Sequence, residues 1–266
     1  MQAPSSATTA EDNFYKYYAE ESLSPATFAR FNSVRSVVMR LLAREGRAEE
    51  KLDVVDIGCG AATQCLIWAR DGHRVHGVDV NERLVELGRT RAAAEQLKVD
   101  LRVGTALEVP WPDSSMDVVL MPELLEHVAD WERCLEEAIR VMRPGAVLYV
   151  STTNRLCPSQ EEFNLPLYAW YPTRLKKHYE KLAFTTRPEI ANFAKYPAVH
   201  WFTFYELRDF LSARGLQSYD RFDVIDTEKH GALARAIVRV VRSNGLFRWF
   251  GQVLTPYSLV FAIKRR

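Results

Sequence analysis

The stretch Asp53-Val54-Val55-Asp56-Ile57-Gly58-Cys59-Gly60-Ala61-Ala62-Thr63 decides how this chain folds. β-Favouring apolar positions run up to a glycine turn, and an amphipathic segment follows at once. That order predicts a buried parallel strand feeding a helix, with Gly58 and Gly60 where a ligand approaches bare backbone. A second strand, His73-Arg74-Val75-His76-Gly77-Val78-Asp79, ends in an acid 19 residues after Gly60. A carboxylate at that place can accept both hydroxyls of a ribose, so the two signals together read as a nucleoside pocket.

Two nucleosides compete for it. A dinucleotide fingerprint asks for G-x-G-x-x-G, and its third glycine would fall at Thr63. A pyrophosphate needs that close approach, whereas S-adenosylmethionine (SAM) carries no phosphate and tolerates a bulkier turn. Asp56, two residues before Gly58, suits the positively charged amino-acid end of SAM and would repel a pyrophosphate. SAM is therefore the expected ligand.

The rest of the chain bounds the class. At 266 residues, 47% hydrophobic and 26% charged, it reads as one soluble α/β domain with additions. Cys59, Cys65, Cys134 and Cys157 form no C-x-x-C pair and no metal spacing, as expected of reduced thiols in a cytoplasmic protein. Residues 1–12 are small and polar and read as a disordered tail, not a signal peptide. No apolar run approaches a membrane span. The net charge of +1 is unevenly spread: Lys229 to Arg266 holds eight basic residues and no acid, which leaves the remainder net acidic.

Along the chain, residues 13–50 read as a helical cap, broken near Ser24-Pro25, with Val34, Val37, Val38, Leu41 and Leu42 facing the core. Strands are expected at 53–57, 74–78, 99–103, 116–121 and 146–152, alternating with helices, the last of which stops at Arg143-Pro144-Gly145. This alternation predicts a SAM-binding core at 51–154. Residues 155–205 hold 12 of the 30 aromatics among repeated prolines and read as a lid over the second substrate. A helix at 204–214 and strands at 219–225 and 257–264 then complete the sheet.

The order of pieces resembles the class I SAM-dependent methyltransferases, in the branch of the ubiquinone-biosynthesis O-methyltransferases. Asp56-Ile57-Gly58-Cys59-Gly60 matches the family's first motif, Gly77-Val78-Asp79 its ribose acid, and Ser115-Met116-Asp117-Val118-Val119-Leu120 its fourth strand. Glu123-Leu124-Leu125-Glu126-His127-Val128-Ala129-Asp130 matches E-x-L-E-H-V-x-D, and Arg140-Val141-Met142-Arg143-Pro144-Gly145 the corner before strand five. The resemblance implies a Rossmann-like, seven-stranded, mostly parallel sheet with helices on both faces and an insert after strand five. It also implies cofactor contacts at Asp56, Gly58, Cys59, Gly60, Asp79, Val80 and Met121. Arg30-Phe31-Asn32-Ser33-Val34-Arg35 resembles the branch's R-x-N-P-x-R without its proline, which makes Arg35 the candidate clamp for the SAM carboxylate. Where the family commonly shows G-D-A, this chain has Gly104-Thr105-Ala106, so adenine contacts fall to Thr105 and the Ala106 backbone.

Methyl transfer to a hydroxyl requires alignment and removal of a proton. His127 is the candidate base, with Glu126 to orient it; the alternative is that the pair only packs the start of a helix. The resemblance also raises a divalent ion at Glu123, Glu126 and His127. Consecutive residues on a helix point apart, so this is the less favoured reading. The expected acceptor is a small or lipid-linked hydroxyl compound; N-, C- or glycan methylation and a SAM-binding module without catalysis are the alternatives. Arg235, Arg239 and Arg242 share one helical face near Phe247, Trp249 and Phe250, which suggests contact with an anionic membrane surface, the bland alternative being a solvated helix face. Nucleic acid is not an expected partner, because the remaining domain is acidic.

Overall fold

The computed structural model describes residues 15, 18–47, 51–160, 163–191, 198, 200–227 and 231–265. The tail expected at residues 1–12 lies outside them, as do Lys229 and Arg266 of the basic segment. Strand β1 (Asp53–Ile57) is buried at every position, as befits a strand covered on both faces of a parallel sheet. It pairs in parallel with β2 (Arg74–Asp79) on one side and β4 (Met116–Pro122) on the other. β3 (Val99–Val103) extends the sheet beyond β2, and β5 (Met142–Thr153) beyond β4. The antiparallel strand β7 (Tyr257–Lys264) then joins β5 to the edge strand β6 (Leu216–Tyr219). The order β3-β2-β1-β4-β5-β7-β6 is the expected seven-stranded, mostly parallel sheet. Strand order reverses between β1 and β4, so a crevice opens above their carboxyl ends.

Helix α1 (Pro25–Arg44) begins where the sequence places a break: the Ser24 side chain accepts from Thr27 N at 3.2 Å and Pro25 occupies the first turn. It buries Val34, Val37, Val38, Leu41 and Leu42, the five positions expected to face the core. α2 (Thr63–Arg70), α3 (Glu82–Ala94, capped by Asn81) and α4 (Trp131–Val141, capped by Asp130) are the crossover helices. Two boundaries differ from expectation. β5 starts at Met142, which pairs with Met116, so Arg143-Pro144-Gly145 lies within a strand that shifts register at its start. The strand expected at 219–225 ends at Tyr219. Asp220 then accepts from the N–H groups of Phe222 and Asp223 and turns the chain into a short helix.

The aromatic insert folds on itself. Its described part contains a 13-residue helix, α5 (Thr173–Thr185), packed near a small core of Phe163, Tyr168, Ala169, Ala198 and Trp201. The Phe163 and Tyr168 rings stack 4.2 Å apart. The segment is tied back to the sheet where His200 N donates to Glu126 O at 3.2 Å and Phe202 N to Thr153 O at 3.2 Å. Past α6 (Phe204–Ser212) and the short α7 (Arg221–Val224), a helical hairpin of α8 (Ala232–Ser243) and α9 (Gly245–Val253) precedes β7. None of the described helices is long and apolar enough to cross a membrane.

Candidate active site

The crevice at the end of β1 is lined by the glycine turn, by Asp56 beneath it, by Pro122 and Glu123 after β4, and by residues of the N-terminal helical segment. Gly58 (φ 79°) and Gly60 (φ 49°) adopt left-handed backbone. A Cβ on Gly58 would lie 2.9 Å from Leu124, and one on Gly60 would lie 3.2 Å from the Tyr18 ring. The N–H groups of Gly58 and Cys59 both donate to Val78 O, at 2.8 and 3.1 Å, which ties the turn to the next strand.

Asp79 closes this link. Its Oδ2 accepts from Gly60 N at 2.8 Å and its Oδ1 from Asn81 N at 2.8 Å. Burial raises its pKa, against the pull of these two backbone donors. Asp56 is nearly fully buried, and its Oδ1 has no hydrogen-bond partner among the described residues. Burial, with Asp79 nearby, pushes its carboxyl up to about 8. An unpartnered buried acid on a crevice wall is costly unless a cation completes it. The charged amino group of SAM meets that need, so these residues fit the cofactor.

A third glycine proves unnecessary because the tight packing lies elsewhere. A Cβ on Gly88 of α3 would approach the Ala62 Cβ to 2.8 Å, so this glycine, not position 63, lets helix and turn meet. Thr63 is a buried residue at the start of α2. Arg91, also on α3, donates to Ala61 O (3.2 Å), Ser22 Oγ (3.1 Å), Tyr18 O (3.1 Å) and Ala19 O (2.9 Å). It thereby straps the N-terminal segment over the glycine turn, a role that nothing in its local sequence announces.

The other expected site residues scatter more. Cys59 is buried within the turn. Val80 is exposed beside Asp79, and Thr105 lies exposed past β3, where its Oγ1 accepts from Leu107 N at 3.2 Å. Ala106 packs partly against the core. Asp79 O accepts from Gly104 N at 3.0 Å, which holds this β3 end beside Asp79. Met121 of β4 is wholly buried in the core, and the next residue, Pro122, lines the crevice. Arg35 is elsewhere: it pairs with Asp71 at the end of α2, and Arg30, one and a half turns earlier on α1, lines the crevice instead. The helical phase of α1, set by its buried valines and leucines, decides which arginine faces inward.

Glu126 and His127 occupy a 3₁₀ turn (Leu125–His127) after β4 and point apart. Glu126 is buried and accepts from Thr152 Oγ1 at 2.7 Å, whereas His127 is exposed. Glu123 pairs with Arg30. The structure therefore does not bring Glu123, Glu126 and His127 together as one ligand set. Among the described residues no cluster of three or more His, Cys, Asp or Glu side chains forms a metal site.

Residues 55–150 match the family model for a methyltransferase domain. The chain is 32% identical to a ubiquinone biosynthesis O-methyltransferase of Rhizobium etli over 84% of its own length and 88% of that protein's. It is likewise 32% identical to the same enzyme of Sinorhizobium medicae, over 73% of this chain and 75% of the relative. Its fold is similar to that of a SAM-dependent methyltransferase from Methanosarcina mazei (TM-score 0.51, 23% identity, 82% of this chain and 94% of that one). A phosphoethanolamine N-methyltransferase of Haemonchus contortus is also similar in fold (TM-score 0.59, 16% identity, 98% of this chain and 58% of that one). The chain belongs to the class I SAM-dependent methyltransferases, in the family of the ubiquinone biosynthesis O-methyltransferases.

Proposed function

We propose that this methyltransferase transfers the methyl group of SAM to a hydroxyl of a lipid-linked acceptor at an anionic membrane surface. SAM supplies a carbon already activated by its sulfonium, so the chain's own work is alignment and proton removal. On this reading Asp56 meets the ammonium, Gly58, Cys59 and Gly60 form the floor, and Asp79 holds the ribose. Val80, Thr105 and Ala106 flank the adenine. His127 accepts the hydroxyl proton, and Glu126, held by Thr152, positions the turn that carries it.

The observation that carries the acceptor class is a surface. On α8, Leu233, Ile237 and Val240 recur at i, i+4, i+7 and are exposed; Leu246 and Phe250 of α9 and Leu254 just beyond its end recur at i, i+4, i+8 and are exposed as well. Leu233 and Leu254 are 76% and 79% exposed, which a solvated surface does not favour. Asn154, at the end of β5, donates to Gln252 O (2.8 Å) and Thr255 O (2.7 Å), so the hairpin is anchored at the carboxyl end of the sheet, the end that bears the crevice and the insert. Residues 231–255 contain no acid. Two of their arginines turn inward, Arg242 onto Phe222 O and Arg248 onto Asp223, and Arg235 and Arg239 remain exposed for headgroups.

The test is a radiolabelled-methyl assay against a membrane lipid extract and a water-soluble metabolite extract, with co-flotation on phosphatidylglycerol vesicles. Label in the lipid fraction, lost together with flotation in Leu233→Glu/Ile237→Glu, is the expected result. Label confined to the soluble fraction overturns the lipid-linked acceptor. His127→Ala should lower turnover and leave SAM binding intact.

A further inference from the structure

Three side chains around the crevice are left over by the assignments above. Gln64, in the first turn of α2, lines the crevice and is 2% exposed. Neither its Oε1 nor its Nε2 has a hydrogen-bond partner among the described residues. A buried amide unsatisfied at both ends costs stability. Its position makes sense when a ligand supplies the missing partners. Arg30 and Glu123 reach the same crevice from opposite sides, α1 and the end of β4, and pair with each other across it. Glu123 holds a left-handed backbone (φ 51°), an uncommon state for a residue with a side chain, and its N–H donates to Ser151 O at 2.8 Å.

An amino-acid group carries an ammonium and a carboxylate side by side. Asp56 answers the first charge. The second needs donors, and among the described residues lining the crevice Arg30 is the one cation and Gln64 the one amide. We propose that Arg30 and Gln64 receive the carboxylate of SAM, and that Glu123 is the partner Arg30 gives up to do so. This rests on the reading of the crevice as the SAM site. Glu123 then serves as an internal competitor: it neutralises Arg30 in the ligand-free protein and is exchanged when the cofactor enters. The clamp expected at Arg35 is thus carried from a different face of the same helix, with an amide from α2 as its companion.

Calorimetric titration with SAM and with decarboxylated SAM, which keeps the ammonium and lacks only the carboxylate, tests this. Arg30→Met should weaken SAM binding on the order of tenfold to a hundredfold and leave the decarboxylated ligand unchanged. Gln64→Leu should weaken SAM selectively by about tenfold and raise the melting temperature of the ligand-free protein, since it removes two unsatisfied buried atoms. Glu123→Gln should tighten SAM by up to about fivefold, the worth of an exposed ion pair. Equal losses for both ligands, or no loss in Arg30→Met and Gln64→Leu, overturn the proposal. Binding of the decarboxylated ligand shows that each variant is folded, and if Arg30→Met does not fold, Gln64→Leu carries the same comparison. Wild-type protein that binds neither ligand overturns the SAM site itself, and the proposal with it.

Discussion

β1 carries two aspartates three residues apart, and they meet opposite fates. Asp53, at the amino end of the strand, is held by Arg74 through Nε and Nη2 at 2.5 and 2.7 Å. Arg143 reaches both Asp53 (2.8 Å) and Asp117 (2.7 Å), and Arg47 reaches Asp117 at 2.6 Å. Asp117 also accepts from Asp53 N at 2.8 Å. The Arg74 bond pulls the Asp53 carboxyl down to about 2 against burial, with Arg143 adding to it. At the carboxyl end of the same strand, Asp56 has an oxygen without a partner and is pushed up to about 8. One end of the sheet has its buried charges satisfied by the protein; the other leaves an oxygen of Asp56 without a partner among the described residues. Burial alone does not mark a functional acid. Burial without a partner, beside a crevice, does.

Substitutions at the two ends should separate these roles. The largest loss of stability should come from Arg143→Met, which takes a shared cation from two carboxylates at once and leaves Asp53 to Arg74 and Asp117 to Arg47; about 2 kcal/mol is expected in urea unfolding, with SAM affinity retained. Asp79→Ala should do the reverse, weakening SAM binding at least about a hundredfold in calorimetry with a smaller change in stability. Gly88→Ala, which forces a methyl against Ala62, should cost about 1–2 kcal/mol and weaken SAM only as far as the turn shifts.

A further signal is a slope rather than a step. Folded Asp56 keeps its proton up to about pH 8, whereas an unfolded carboxylate loses it near about pH 4. The folded state therefore binds more protons in that window, and the contribution of Asp56 to stability falls as pH rises through it. Asp56→Asn should remove this fall, so the difference in melting temperature between variant and wild type grows from acid to neutral pH. Asp53 works in the other direction: its lowered pKa contributes stability that is present above about pH 4 and lost as pH falls toward 2. A wild-type profile unchanged by Asp56→Asn would mean that Asp56 is paired in solution, and the contrast between the two ends would fail.

The parts of this site legible in the sequence are those whose meaning is local. A glycine turn after a β-branched run, with an acid at the end of the next strand, specifies strand, turn and the carboxylate that closes on the turn through backbone requirements that travel with the residues. Asp56, Gly58, Gly60 and Asp79 accordingly meet at one place. Residues chosen by resemblance alone fared differently. Met121 faces the core because strand alternation turns it inward, and Arg35 meets Asp71 because the apolar stripe of α1 sets the rotation of the helix. The basic face read along α8 loses Arg242 to a carbonyl of α7, a contact set by the docking of the hairpin.

By itself, then, the sequence determined the alternating strands and helices of the parallel core, the glycine turn and the acid that ends the next strand, because periodicity and backbone freedom are carried by neighbouring residues. Only the tertiary structure decided that Arg30 and Gln64 face the crevice, that Arg91 straps the N-terminal segment across the turn, and that Asp53 is quenched while Asp56 is not. Each depends on which groups from distant segments arrive within a hydrogen bond of one another, and no local pattern encodes that distance.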